Sequence, residues 1–207
     1  MENGSTRRFT QPFLRTIIVL GVVAYLLSLG FLPFSRLDSR FLILALLTLG
    51  IGSRFSIKIP RVSAHISVSD SFIFLTLLLF GGEAAVIVAA LDGLFTSLRF
   101  SRKPTTLLFN AAVVAFSTFA TAELLWWSVG DVVALTSERY TPLYILALSV
   151  MAFGQYVFNS GIVAVCGAIK DGRPVWQTWS RNYLWTSVTY FAGAFAAGAL
   201  AKLVGFV

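Results

Sequence analysis

The sequence predicts an all-α fold: a polytopic membrane helix bundle of about seven spans (six to eight fit), with its N-terminus in the cytoplasm. Three observations predict it. Of 207 residues, 57% are hydrophobic and 12% charged, and mean hydropathy is +0.82, whereas a soluble domain carries about a quarter charged residues to cover its surface. Apolar runs with few charges recur along the whole chain, each near the roughly 20 residues that cross a bilayer as a helix. Lysine and arginine collect in alternate connections, as short cytoplasmic loops do. The same composition excludes disorder, and a single cysteine, Cys166, excludes a disulfide scaffold. One histidine, His65, rules out a multi-histidine metal site.

The runs cover residues 13–33, 37–52, 70–82, 83–98, 104–128, 142–169 and 184–207, and residues 1–207 form one integral membrane domain. Residues 70–82 and 83–98 are both short. They meet at Gly81 and Gly82. With the N-terminus inside, the inner segments hold Arg7, Arg8 and Arg15, then Arg54, Lys58 and Arg61, then Arg99, Arg102 and Lys103, then Lys170, Arg173 and Arg181. The outer loops hold only Arg36, Arg40 and Arg139, and Lys202 lies inside the last span. The net charge of +7 therefore faces the anionic inner leaflet of the membrane, and no nucleic-acid partner is expected. Arg7-Arg8 before the first run has no small-residue cleavage site after it, so that run is retained as a span. Trp126 and Trp127 mark one interface, and Trp176, Trp179, Tyr183 and Trp185 the other. The stretch 174–183 is expected to lie along the membrane surface. An odd span count leaves the C-terminus outside without a polar anchor, so an eighth span is expected beyond it.

Polar groups deep in hydrocarbon are costly, which makes each a candidate for function. Asp92 falls seven residues before Arg99, roughly 10 Å from the inner end at 1.5 Å per residue. Asn110 sits at about the same depth on the next span, and Gln155 and Asn159 lie one turn apart on the sixth. Asp92, Asn110, Gln155 and Asn159 are expected to converge on one inward ligand or ion pocket, or else to serve as interhelical hydrogen-bond glue. Glu123, beside Trp126 and Trp127, is a candidate for a proton or cation. Glu83 opens its helix, where the dipole favours an anion. Residues 55–69 alternate apolar and polar about Pro60, which suits an extended loop or short hairpin, and Ser69-Asp70-Ser71 reads as a helix cap. There is no zinc-protease histidine pair, phosphate loop or nucleophile elbow, so no catalysis is expected and no cofactor is identified. Small residues from Ala192 to Ala199, with Gly154, Gly161 and Gly167, offer smooth faces for packing within the bundle or for a homodimer.

The stretch ISVSDSFIFLTLLLFGGEAAVIVAALDGL at 66–94, followed by RFSRKP at 99–104 and LFNAA at 108–112, resembles the N-terminal membrane region of bacterial cyclic-di-GMP signalling proteins. In those proteins a multi-span bundle precedes GGDEF, EAL or HD-GYP output domains. The resemblance covers most of residues 40–207 and implies a sensory input module whose eighth span leads to a cytoplasmic output domain. It carries no ligand residues to this chain, and Gly81-Gly82-Glu83 opens a helix rather than forming a cyclase loop. An extended segment, a helix ending in LFG at 79–81 and a helix with LDGL at 91–94 also resemble the substrate-capture subunits of energy-coupling vitamin transporters. Those typically have six spans and place the preceding loop outside, where Arg54, Lys58 and Arg61 argue for inside.

Overall fold

Gly81, with φ 94°, turns one apolar helix directly into the next, and the molecule is assembled around that turn. A computed structural model describes residues 4–52, 56–58, 65–67, 69–137 and 141–205. Its helices are α1 (Gly4–Gly30), α2 (Ser39–Leu47), α3 (Ser69–Phe80), α4 (Gly82–Leu98), α5 (Pro104–Val129), α6 (Val132–Ser137), α7 (Pro142–Asp171), α8 (Val175–Asn182) and α9 (Thr186–Gly205). A 3-10 turn, Phe34–Arg36, precedes α2, and α2 runs on into a π turn, Thr48–Gly52. Two short strands, β1 (Ser56–Lys58) and β2 (His65–Ser67), pair antiparallel with Ile57 opposite Ile66, so the expected hairpin forms. The remainder of 53–64, Val68 and residues 138–140, which include Arg54, Arg61 and Arg139, lie outside the described residues.

Among the described residues, four helices are long and apolar enough to cross a membrane: α1 from Thr10, α5, α7 and α9. The other expected spans are helical but short. At 12 residues, α3 is only ~18 Å long at 1.5 Å per residue. Its apolar character runs all round because neighbours surround it: Ile73, Phe74, Leu75, Thr76, Leu77 and Leu78 are all buried. By contrast α1 turns Val19, Val22, Val23, Leu26 and Leu27 outward, which suits a helix at a lipid boundary. The main core gathers α3 with α4, α7 and α9, and a smaller cluster of Ile17, Phe109, Ala112 and Val113 joins α1 to α5.

Contacts between named residues give the helix directions. Ile17 packs with Phe109 and Ala112, while Leu27 and Ser28 share a cleft with Phe119 and Ala122, so α1 and α5 run parallel. α4 opposes α5: Gly82 lies against Ala122, and Gly93 against Ala111. α7 opposes both α5, through Gln155 with Thr118 and Thr121, and α9, through Asn159 with Tyr190 and Tyr144 with Gly198. Phe41, near the start of α2, meets Phe80 edge-on at 5.4 Å. One end of the bundle, here the distal end, therefore holds the Gly81 turn, the start of α2 with Arg36 and Arg40, the ends of α5 and α9, and α6. At the opposite, proximal end lie the α4–α5 and α7–α8 connections with Arg99, Arg102, Lys103, Lys170 and Arg173.

α8 occupies the stretch expected along the membrane surface, and its two faces differ. Trp176 is exposed, whereas Trp179 turns inward, stacks on Tyr156 at 5.5 Å and donates its indole N–H to Ser160 Oγ at 2.8 Å. Part of the small-residue faces of α7 and α9 is used inside the bundle: a Cβ on Gly198 would fall 2.5 Å from a Leu148 methyl, and one on Gly154 3.2 Å from a Leu124 methyl, whereas one on Gly161 would meet nothing within 4 Å.

Candidate functional site

At the distal end the helices part to leave a cleft of about 510 Å³, within the range of small-molecule sites. Local sequence explains why it is there. Gly81, in a backbone conformation that a side chain disfavours, ends α3 and starts α4 without a linker. A Cβ on Gly82 would lie 2.6 Å from the Ala122 Cβ, so α4 can press its first turn onto α5 only with glycine at this position. Gly130, at φ 78°, ends α5, and the Asp131 carboxylate then accepts from the Val133 N–H at 3.0 Å to start α6. The end of α1, the Gly81 turn, α5 and α6 thus form the walls. Leu27, Phe31, Leu77, Phe119, Trp126 and Val132 supply apolar lining, and Ser28, Arg36, Glu83, Glu123 and Asp131 supply polar groups.

Ser28 is the unusual member. It is 2% exposed, and its hydroxyl has no hydrogen-bond partner. Glu83 projects back beside Gly81, its carboxylate 3.3 Å from where a Cβ on that glycine would stand. It sits in the first turn of α4, as expected, although no side chain caps that helix end. Glu123 is exposed and faces the same cleft as Trp126. Among the described residues the only ion pair joins Arg40 to Asp38, at 4.0 Å.

Of the other four candidate residues, Asp92, Asn110 and Asn159 lie toward the proximal end and Gln155 near the middle of the bundle, and they bond to separate partners. The Asp92 carboxylate, 6% exposed, accepts from Ser69 Oγ at 2.9 Å. Asn110 donates to Ser97 Oγ at 2.9 Å, and Ser97 donates in turn to the Gly93 carbonyl. Gln155 accepts from Thr121 Oγ1 at 3.1 Å and donates to Thr118 Oγ1 at 3.2 Å. Asn159 donates to the Tyr190 hydroxyl at 2.8 Å. Gln155 and Asn159, though a turn apart on α7, therefore serve different neighbours, α5 and α9. Each such interhelical bond is worth around 0.6 kcal/mol.

Sequence reasoning missed two residues that bring Asp92 and Asn159 into one neighbourhood. Asp70, read from sequence as part of a cap, sits in the first turn of α3, near enough to Asp92 to feel its charge and to Tyr190 to act on it electrostatically. The signal is there in the spacing: Asp70 and Asp92 each stand eleven residues from Gly81, so a helical hairpin at that glycine sets them at equal depth. Ser69, the first residue of α3, turns its hydroxyl across to Asp92. Two carboxyls facing each other give a testable result. Asp92→Asn keeps an acceptor for Ser69 and removes one of the two like charges, so thermal unfolding in detergent above neutral pH should shift upward by about 1 kcal/mol; an unchanged or lower midpoint would show that the charges do not meet.

Lys202 was also missed. It is 1% exposed, and its ammonium donates to the carbonyls of Leu135 at 2.7 Å and Thr136 at 3.1 Å. The ammonium lies 4.1 Å from the centre of the Tyr144 ring. It thereby ties the last turn of α6, a wall of the cleft, to α9. The side chain of His65 lies outside the described residues, and Cys166 is half-buried beside the α1–α5 cluster. No family model matches the chain, and neither a curated protein nor a solved structure matches it at a significant level.

Proposed function

We propose that this chain is a membrane-embedded sensory input domain that binds a small molecule in the distal cleft, in a bacterial inner membrane, without catalysis of its own. The observation that carries this reading is the cleft itself: it has the volume of a ligand site, and one of its walls is bonded to the last helix. A ligand that fits one position of α6 better than another biases α9 through Lys202; a ligand with equal affinity for both positions shifts nothing. In this scheme α9 ends on the external side, and the resemblance implies that an eighth span would carry the change back to a cytoplasmic output domain.

The topology that goes with this reading has the N-terminus inside and seven crossings, with α2, α3 and α4 completing a thin, protein-surrounded centre. Support comes from the alternating helix directions and from the basic connections at the proximal end, which becomes the cytoplasmic face. The cleft then samples the external side. In a Cys166→Ala background, a membrane-impermeant maleimide added to intact cells should label Ser35→Cys and leave Ser101→Cys unlabelled until the cells are opened. The reverse pattern would invert the scheme.

Native mass spectrometry of the detergent-purified protein tests the binding role. Retention of a small molecule that is lost on Trp126→Ala and Ser28→Leu supports the proposal. A bare protein, together with no thermal shift across a library of cationic, neutral and anionic metabolites, would sink it. A transport-subunit role would use the same cleft and would instead show as ligand uptake into cells.

A further inference from the structure

The chemistry of the cleft wall narrows what it can take. Glu83 and Glu123 each stand one residue beyond the Gly82–Ala122 contact, so the tight approach of α4 to α5 sets their two carboxylates on the same cleft. Asp131 adds a third, against a single guanidinium, Arg36. None of the four is ion-paired among the described residues. An independent observation comes from a different helix: Ser28 on α1, a residue 2% exposed whose hydroxyl is buried without a partner, lines the same cleft. A buried hydroxyl left unpaired is destabilising unless a ligand completes it. Trp126, on the face of α5 one turn past Glu123, offers an indole to a cation, and Phe31, Leu77 and Phe119 offer apolar surface.

We propose that the occupant is a small molecule with a primary ammonium group and an apolar body, its ammonium held by Glu83 and Glu123 and completed by Ser28. This rests on the cleft being a ligand site. A primary ammonium has three N–H donors and no acceptor, which matches two carboxylates and a hydroxyl oxygen. A carboxylate ligand would meet three like charges, and a neutral apolar ligand would leave both the glutamates and Ser28 unsatisfied. The apolar body would lie along Phe31, Leu77, Phe119 and Trp126. Two sources share this chemistry, a simple amine and an amino acid, and Arg36 is the group that would tell them apart by engaging the carboxylate of the latter.

The test uses the full chain in detergent or nanodiscs with three probes of matched body: phenethylamine, phenylalanine and 3-phenylpropionate. Phenethylamine should raise the thermal midpoint and bind saturably. Glu83→Gln with Glu123→Gln should weaken it about tenfold or more, the loss expected of a charge-assisted hydrogen bond. Ser28→Ala should weaken it less, and neither variant should lower the probe-free midpoint by more than a few degrees. Phenylalanine binding more tightly than phenethylamine, with that advantage lost in Arg36→Gln, would assign the amino acid source. Phenylpropionate binding as tightly as phenethylamine, or amine binding unchanged in the double variant, would overturn the proposal. If native mass spectrometry finds a neutral or anionic occupant in the cleft, the ammonium assignment falls while the binding role stands.

Discussion

Lys202→Glu should abolish accumulation of folded protein, an effect of at least about 4 kcal/mol. The wild-type ammonium faces two carbonyl oxygens at the end of α6, at 2.7 and 3.1 Å, and the face of the Tyr144 ring at 4.1 Å. All three present negative potential, which is why a buried cation is tolerated at 1% exposure. A carboxylate there would meet repulsion from each of them and could not reach water. Lys202→Met separates charge from bulk: it keeps an apolar chain of similar length, leaves the two carbonyls without this donor, and should cost about 2 kcal/mol. Size-exclusion profiles and thermal midpoints in detergent read both variants. A Lys202→Glu protein that is monodisperse and melts with the wild type would mean that the ammonium does not hold α6 in place.

Gly21→Ala should produce the second large loss. A Cβ at Gly21 would lie 2.4 Å from the Ala112 Cα and 2.6 Å from its carbonyl oxygen. The obstacle is the backbone of α5, which cannot swing aside as a side-chain methyl can, so α1 must move away along its whole contact. Overpacking of this kind costs about 1–3 kcal/mol or more. The change would also open the cleft, since Leu27 and Ser28 follow on the same helix and Phe31 comes just past its end. Gly161→Ala is the matched control. Gly161 is inside α7, and a Cβ there would meet nothing within 4 Å, so alanine should stabilise the helix by roughly 0.5–1 kcal/mol through its higher propensity. Thermal midpoints that fall for Gly21→Ala and rise for Gly161→Ala would confirm the packing; equal responses would refute it.

Much of the architecture is legible from one-dimensional features. The apolar runs match α1, α5, α7 and α9, the Gly81-Gly82 break falls where α3 gives way to α4, and the stretch containing Trp176 and Trp179 forms α8. Length is the weaker guide in the middle of the chain. α3, with 12 residues, is apolar on every side because other helices surround it, so its composition alone does not measure its reach across a bilayer. The short α6 is not legible because six residues between glycine and a polar segment carry too little periodicity to register.

The site is less legible. Asp92, Asn110, Gln155 and Asn159 are recognisable as buried polar groups from their depth alone, yet side-chain direction around each helix sends them to Ser69, Ser97, Thr118 with Thr121, and Tyr190. Glu123 is a candidate by sequence and does line the cleft, but Ser28 gives no signal: a serine in an apolar helix commonly bonds back to its own backbone, and nothing in the sequence marks this one as lacking that bond.

Composition and the spacing of charge were enough to establish a helical chain suited to lipid, because the cost of exposing backbone and charge to hydrocarbon acts on each segment separately. Which helix faces reach one another depends on close contacts such as Gly21 with Ala112 and Gly82 with Ala122, and these are properties of pairs of segments. The cleft, the facing carboxyls of Asp70 and Asp92 and the grip of Lys202 on α6 all arise at that second level, where residues far apart along the chain first come within reach of one another.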